Sequence, residues 1–439
     1  MIDINIIRKN PEILFESQRR RFQSDDIVKA AIEYDNKWRE ILRKVNDLKA
    51  EKNRLVKEIS TIAKKGEDIS PYKKKAEEID KEIEIMNKEL NDIEEKRDTI
   101  LKRIPNIVDN DAPVAPNESG SVPFYFHGRA DVYRDDLENF IRGSLNKMEY
   151  RLIDRKRVSH VDLLLERGLI NLETAAKVAG SRFYYLLGDL VLLENSIELL
   201  ALKMLNNKGF KLVEPPFMLN REATNGATDF TAFEDTLYKI EGEDLYMIAT
   251  SEHPLASYHS DEILEEEMLP LFYAGISPCF RREAGAHGKD TKGIFRVHQF
   301  NKIEQFAYTL PEDSKRIHNM LLENAKEFFN LLEIPYRVID IATGDLGNVA
   351  SRKFDIEAWY PAQGQFREVV SASNVLDYQA RRLKIRYRTK EGNKYVHTLN
   401  STLVATTRTL VAIVENYQQE DGTILIPKAL RDLMGKDVI

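Results

Sequence analysis

Arg281, Arg296, Phe300 and Glu304 are the side chains whose types and spacing first invite chemistry. They belong to the run Phe280-Arg281-Arg282-Glu283, a polar stretch through Gly285, Gly288, Lys289 and Gly293, then Phe295-Arg296-Val297-His298-Gln299-Phe300 and on to Glu304. Both arms suit strands, and the glycines with Asp290 suit the turn of an antiparallel hairpin. Side chains alternate across a strand, so Cys279, Arg281 and Glu283 point one way. Arg296, His298, Phe300, Lys302 and Glu304 share a face of the second arm for the same reason. If those faces coincide, two fixed guanidiniums can hold a polyphosphate and a phenyl ring can stack on a base. The carboxylate can hold an ammonium or a hydroxyl. The plainer reading is a solvated sheet face with alternating charges.

A second arginine-centred signal lies near the C-terminus. His397-Thr398-Leu399-Asn400-Ser401-Thr402 runs into Leu403-Val404-Ala405-Thr406-Thr407-Arg408, and the periodicity from Thr402 to Tyr417 predicts a helix. Arg408 stands alone among apolar neighbours, so it needs an anion, either a polyphosphate or a structural ion-pair partner. The stretch Arg382 to Arg388 alternates basic with apolar residues and reads as a strand. Its basic face is either solvated or turned to a nucleic-acid backbone.

These residues need elements to position them. Residues 1 to about 35 read as short helices, with Asn10-Pro11 marking a helix start. Trp38, Ile41, Val45, Leu48, Leu55, Ile59 and Ile62 then recur at steps of three and four, with Lys52 the exception. After Lys64-Lys65-Gly66-Glu67-Asp68-Ile69-Ser70-Pro71 the pattern resumes through Tyr72, Ala76, Ile79, Ile83, Met86, Leu90, Ile93, Arg97, Ile100 and Ile104. Two heptad seams joined by a Gly/Pro turn predict an antiparallel helical hairpin over about 37–104, too thin to be globular and so expected to project. Residues 37 to 103 carry nineteen Lys/Arg against sixteen Asp/Glu. That mixture suits an exposed coiled coil, or a lever that touches a large polyanion.

Pro105, Pro113 and Pro116 with several Asn, Ser and Gly mark a linker over about 105–122. The expected domains are therefore 1–110 and 111–439, the second a mixed α+β domain. Its helix from Asn195 to Asn207 leads into Phe210–Val213 and Pro215-Pro216, a strand end that suits an edge or a dimer contact. The 439 residues carry a net charge of −7, which argues against indiscriminate nucleic-acid binding but leaves room for local basic surfaces. The single cysteine, Cys279, excludes an internal disulfide and a multi-cysteine zinc site. The first residues do not read as a signal peptide. The apolar run Leu190–Leu205 is broken by Glu194, Asn195, Glu198 and Lys203, so no membrane span is expected. A cytoplasmic enzyme or binding protein is the expectation.

Taken together, these blocks resemble the three signature motifs of class II aminoacyl-tRNA synthetases, and the hairpin narrows the resemblance to seryl-tRNA synthetases. It rests on Phe280–Glu283 with Arg296–Phe300, Thr250-Ser251-Glu252, Arg367-Glu368-Val369-Val370-Ser371-Ala372-Ser373-Asn374, and His397 through Arg408. Ser251 and Ser401 stand where smaller residues are frequent in the family. The resemblance implies a six- to seven-stranded antiparallel sheet flanked by helices. The implied activity is ATP-dependent activation of L-serine followed by transfer to the 3′ end of tRNA(Ser). Arg281 would bridge the serine carboxylate and the α-phosphate. Arg282, Glu283, Val297, Phe300, Val369 and Val370 would lie along ATP, with Glu283 near the adenine, Phe300 stacked on it and Val297 seating the base. Arg296 and Arg408 would hold the β- and γ-phosphates, and Glu368 and Ser371 would supply oxygens to Mg²⁺. Thr250, Ser251, Glu252, Glu304, Asn400 and Thr402 would surround serine.

The implied chemistry requires no catalytic His or Ser. A carboxylate is already nucleophilic, so Arg281, Arg296, Arg408 and Glu368 would act by positioning and charge neutralisation. The common, zinc-free form of the enzyme, a homodimer whose arm holds tRNA, is the expectation. Two other classes compete. A related ligase that loads a carrier protein would lack the hairpin. A structural coiled-coil protein on a dead synthetase fold would have lost Arg281, Arg296, Glu304, Glu368 or Arg408.

Overall fold

The computed structural model describes residues 1–230, 234–283 and 292–439. The chain divides into two compact units, Met1–Ile107 and Val108–Ile439.

In the first unit, short helices Ile4–Lys9 and Glu12–Arg20 precede two long ones, α1 (Asp26–Lys64) and α2 (Ser70–Arg103). At a rise of 1.5 Å per residue these run roughly 58 and 51 Å. Helix α1 starts well before residue 35, where short helices were expected. The reason is visible in its buried positions: Val28, Ala31 and Asp35 carry the same stripe as Ile41 and Val45 one turn after another. Ile41, Val45 and Leu90 pack together with Trp38, Leu42, Met86 and Ile93, so the two seams face each other as the heptads require. The turn uses Gly66 at φ +76°, and the Asp68 carboxylate accepts the Ser70 amide at 2.9 Å just before Pro71. Arg97 occupies a seam position. Its guanidinium lies 4.6 Å from the Trp38 ring centre and 3.7 Å from Asp35, which Arg8 grips through two bonds of 2.8 and 2.7 Å.

The second unit is built on an eight-stranded sheet. In chain order its strands are β1 (Val122–His127), β2 (Lys211–Val213), β3 (Leu271–Phe280), β4 (Gln299–Thr309), β5 (Tyr336–Asp340), β6 (Arg352–Tyr360), β7 (Gln365–Leu376) and β8 (His397–Ala405). Their spatial order is β1-β5-β6-β7-β8-β4-β3-β2. Every neighbouring pair is antiparallel except β2 with β3. The strand before Pro215-Pro216 is an edge, and one more strand is present than the resemblance implied. Helices α3 (Asp189–Asn207), α4 (Ser314–Leu331) and α5 (Thr406–Tyr417) bury their apolar sides with the sheet in one large core. A smaller core beneath the helices Glu252–Ser257 and Tyr378–Leu383 takes Phe306 and Tyr308 from β4.

Several expectations give way here. Helix α3 begins at Asp189, a turn and a half before Asn195. The run Thr402–Tyr417 is not one helix, because strand β8 continues to Ala405. That strand pairs on both sides and is buried on both faces, so it lacks the alternation that marks a strand in sequence. Arg382 and Leu383 end a helix, Lys384 is left-handed at φ +55°, and only Arg386–Thr389 is extended. The supposed linker is partly core: Val108 and Ala112 pack on Ile339, Ile341 and Leu346, and the Asp109 amide donates to Ser351 O at 3.0 Å.

Candidate active site

Strands β3 and β4 set the floor of the site. Gly275 faces Glu304, Ser277 faces Lys302 and Cys279 faces Phe300 across the ladder. Phe300, Lys302 and Glu304 therefore share one face, as alternation requires. Gly275 is needed there. A Cβ would stand 2.8 Å from both Ser251 Cβ and Leu255 Cδ1, so the bare backbone lets the segment carrying Thr250 and Glu252 close over the sheet. On the other side of β4, Thr402 faces Glu304 and Asn400 faces Phe306; Ser373 of β7 then faces Asn400.

The regular ladder stops at Phe280 and Gln299, so Arg281–Glu283 and Arg296–His298 are not strand residues as expected. Glu283 is left-handed at φ +48°, and the Arg282 amide donates to Thr236 O at 2.9 Å. Gly285, Gly288, Lys289 and Asp290, assigned to the hairpin turn, lie outside the described residues. Gly293 does have a left-handed φ of +83°.

The side chains line one cleft with two halves. The narrow half is bordered by Phe295, Val297, Phe300, Glu368, Val369 and Arg408. The wide half, about 630 Å³, is bordered by Thr250, Glu252, His253, Glu304, Asn400 and the 346–350 loop. Arg281, Glu283, Arg296, Lys302, Ser371 and Thr402 border both. Arg281 is pinned by Nε to Ala249 O at 3.2 Å, with its guanidinium 5.2 Å from the Phe300 ring centre. Arg296 Nε lies 3.2 Å from Glu283 Oε2. Arg408 donates from Nη1 to Glu368 O at 2.9 Å and lies 3.3 Å from its Oε1.

Charge in the wide half is buried and paired. Glu304 is 1% exposed, and its Oε2 is paired with Lys302 Nζ at 2.5 Å. Lys302 also donates to Thr250 Oγ1 at 3.1 Å. Burial raises the Glu304 carboxyl above the usual range against the pull of Lys302, Arg281 and Thr402. Burial, then the charge of Glu304, pushes Glu252 up to about 7. Its Oε1 accepts from Gln379 Nε2 at 2.9 Å. Burial, with Arg281 and Lys302 nearby, drives His253 down to about 3, so it is neutral at ordinary pH. In the narrow half, surrounding protein opposes ionisation of Glu368, but Arg408, Lys353, Arg281 and Lys302 outweigh it and hold the carboxyl below the usual range.

Three expected residues do not reach the cleft wall. Ser251 is fully buried and donates to Gly275 O at 3.3 Å. Val370 is fully buried in the large core, and Arg282 borders neither half of the cleft. Conversely, Lys302, Phe295, His253 and Gln379 belong to the site or its support and were not singled out. Lys302 was legible, since it lies midway between Phe300 and Glu304 on the same face. Gln379 was not, because only the tertiary fold brings it to Glu252.

This geometry has counterparts. A class II tRNA synthetase core-domain model (G, H, P, S and T) matches residues 234–417, and a seryl-tRNA synthetase N-terminal domain model matches residues 1–108. The serine–tRNA ligase of Thermococcus sibiricus is 52% identical over 434 residues, covering 98% of this chain and 95% of that protein. This chain belongs to the seryl-tRNA synthetase family. The crystal structure of the seryl-tRNA synthetase from Pyrococcus horikoshii complexed with ATP superposes with a TM-score of 0.97 at 49% identity, covering 100% of this chain and 99% of that one. The cytoplasmic serine–tRNA ligase of Naegleria fowleri in complex with AMP gives 0.87 at 38% identity, covering 100% and 98%. As a synthetase of this family the chain is an enzyme with ATP as a substrate, and the antiparallel sheet preceded by long helices is the fold its motifs implied.

Proposed function

We propose that the two halves of the cleft carry out serine–tRNA ligation, the reaction of the family, with serine in the wide half and ATP in the narrow one. The observation that carries this is the shared wall. Arg281 and Lys302 border both halves, between a buried acidic pocket and a pair of arginines beside an aromatic plate.

In the first step a serine carboxylate oxygen attacks the α-phosphorus, the bond to the β-phosphate oxygen breaks, and pyrophosphate leaves. Arg281 neutralises charge on both reacting groups, and Arg296 and Arg408 hold the departing phosphates. Phe300 supplies the face on which adenine stacks, with Val297 and Val369 closing the base's edge. Glu368 and Ser371 border the narrow half as an oxygen pair of the kind that holds Mg²⁺, which when bound would further neutralise the phosphates. In the second step a hydroxyl of the tRNA 3′ ribose attacks the seryl carbonyl and AMP leaves.

Serine selectivity follows from buried polar groups. Thr250, Glu252 and Glu304 face the ammonium, and Glu304 with Thr402 faces the hydroxyl. Alanine leaves those groups unpaired, a defect that costs about 10⁴-fold in sites of this kind. The helical hairpin offers lysines and arginines to the tRNA backbone. Leu192 and Leu199, exposed one above the other on α3, with exposed Leu212 on edge strand β2, suit the contact of a homodimer. A cytoplasmic location goes with this reading. No described helix is long and apolar enough to cross a membrane.

The test is amino-acid-dependent ATP–pyrophosphate exchange. Serine should drive it and alanine should not; exchange with another amino acid but not serine would overturn the reading.

A further inference from the structure

The pair just beyond the end of the β3–β4 ladder, Arg281 with His298, is unusual in what completes it. The Arg281 amide donates to His298 O at 2.9 Å, as an antiparallel pair requires. The reciprocal bond is absent, because the His298 amide donates instead to Arg182 O at 3.1 Å. The Arg281 carbonyl is met by the His298 ring, Nδ1 to O at 2.8 Å. A carbonyl only accepts, so Nδ1 carries the proton. The ring is held by Phe183, which stacks on it at 5.1 Å between centres and 29°, while Tyr238 Oη, 3.1 Å from Nδ1, accepts a share of the same N–H. One imidazole thus fixes both backbone groups of Arg281 with the help of its own carbonyl, and ties that pair to residues 182–183 and 238.

We propose that His298 is a positioning residue for Arg281, acting through the main chain rather than by touching substrate. The inference rests on the assignment of Arg281 to the reacting groups. Arg281 sits where regular strand pairing has ended; the flanking amides of Phe280 and Arg282 are held by Ile248 O and Thr236 O, and the His298 ring is what meets the Arg281 carbonyl itself. Among the described residues the guanidinium is held by Nε to Ala249 O and by the Phe300 ring, and its useful bonds depend on where the backbone starts it. A displacement well under 1 Å at such a group lowers the rate of the chemical step more than it lowers affinity.

Serine-dependent ATP–pyrophosphate exchange on the full-length enzyme tests this with five variants. His298→Ala should lower kcat about 10- to 100-fold while KM for serine and ATP changes less than about threefold. His298→Asn places an amide nitrogen near Nδ1 and should recover to within about threefold of wild type; His298→Gln, whose nitrogen falls near Nε2, should not. Phe183→Leu removes the stacked ring and keeps the imidazole, so a loss of about threefold is expected even where the alanine variant folds poorly. Wild-type kcat in His298→Ala, equal behaviour of the Asn and Gln variants, or a loss confined to KM would overturn the proposal. Arg281→Ala separates the two readings. If that variant keeps wild-type exchange, the role of Arg281 itself fails; if it is inactive while His298→Ala is normal, only the positioning role fails.

Discussion

At the scale of single residues, the site works by placing ionised groups where water is scarce. Glu252 is the most sensitive of them, because burial and the neighbouring Glu304 raise its carboxyl to about 7. The sign follows directly. A raised carboxyl pKa means that Glu252 holds a proton below pH 7 and becomes anionic above it, and only the anion attracts the serine ammonium. Serine should therefore bind up to about tenfold more weakly at pH 6 than at pH 8. Calorimetry of serine binding across that range checks this, and Glu252→Gln should bind weakly at every pH with most of the slope gone. An unchanged slope in the variant would remove Glu252 from the serine site. Much of this was legible: alternation put Phe300, Lys302 and Glu304 on one face, and the floor of the cleft is that face. Ser251 was misread, since the Thr-x-Glu block is a tight turn whose middle side chain points into the sheet beside Gly275.

At the scale of elements, the base of the helical hairpin is held by ion pairs in an otherwise apolar seam. Asp35 is buried and takes Arg8 in two short bonds, with Arg97 against Trp38 beside it. Removing the anion takes both bonds from Arg8 and a nearby negative charge from the almost fully buried Arg97, which keeps Glu94 and Asp98 at 3.0 and 2.8 Å. Asp35→Ala should lower the stability of the Met1–Ile107 unit by about 2–4 kcal/mol, read from denaturant unfolding followed by helix signal. A change below about 0.5 kcal/mol would show the cluster to be a passive surface pair. Nothing in the sequence singled out Asp35, whereas Arg97 was in view, since it falls on the heptad. Its partner lies 62 positions earlier, and only the antiparallel pairing of α1 with α2 brings the two together. Strand β8 makes the opposite point. Buried on both faces, it has no period to read, and the helix after it lent it a false one.

At the scale of the whole molecule, the two compact units suggest a division of labour. If, as proposed, the arm supplies phosphate contacts rather than chemistry, excising residues 38–103 should leave serine-dependent exchange within about threefold of wild type and reduce tRNA serylation by at least about 10³-fold. Equal charging by the shortened enzyme, measured as aminoacylated tRNA, would refute the arm's role. The exposed leucines of α3 carry a second expectation. Leu192→Glu with Leu199→Glu should turn a dimer into a monomer in sedimentation, with the fold kept; a wild-type protein that sediments as a monomer would dismiss that interface.

The amino-acid sequence by itself determined the helical hairpin, the domain order, and most of the residues that border the cleft. Those features follow from local periodicity and from residue types whose chemistry is narrow. Tertiary structure alone decided which side chains reach the cleft, how Glu252 is tuned and what holds Arg281. Each depends on groups far apart in the chain: Gln379 on Glu252, Gly275 beneath Ser251, and Phe183 and Tyr238 around His298. Burial and long-range pairing set those properties, and neither leaves a period or a spacing to read.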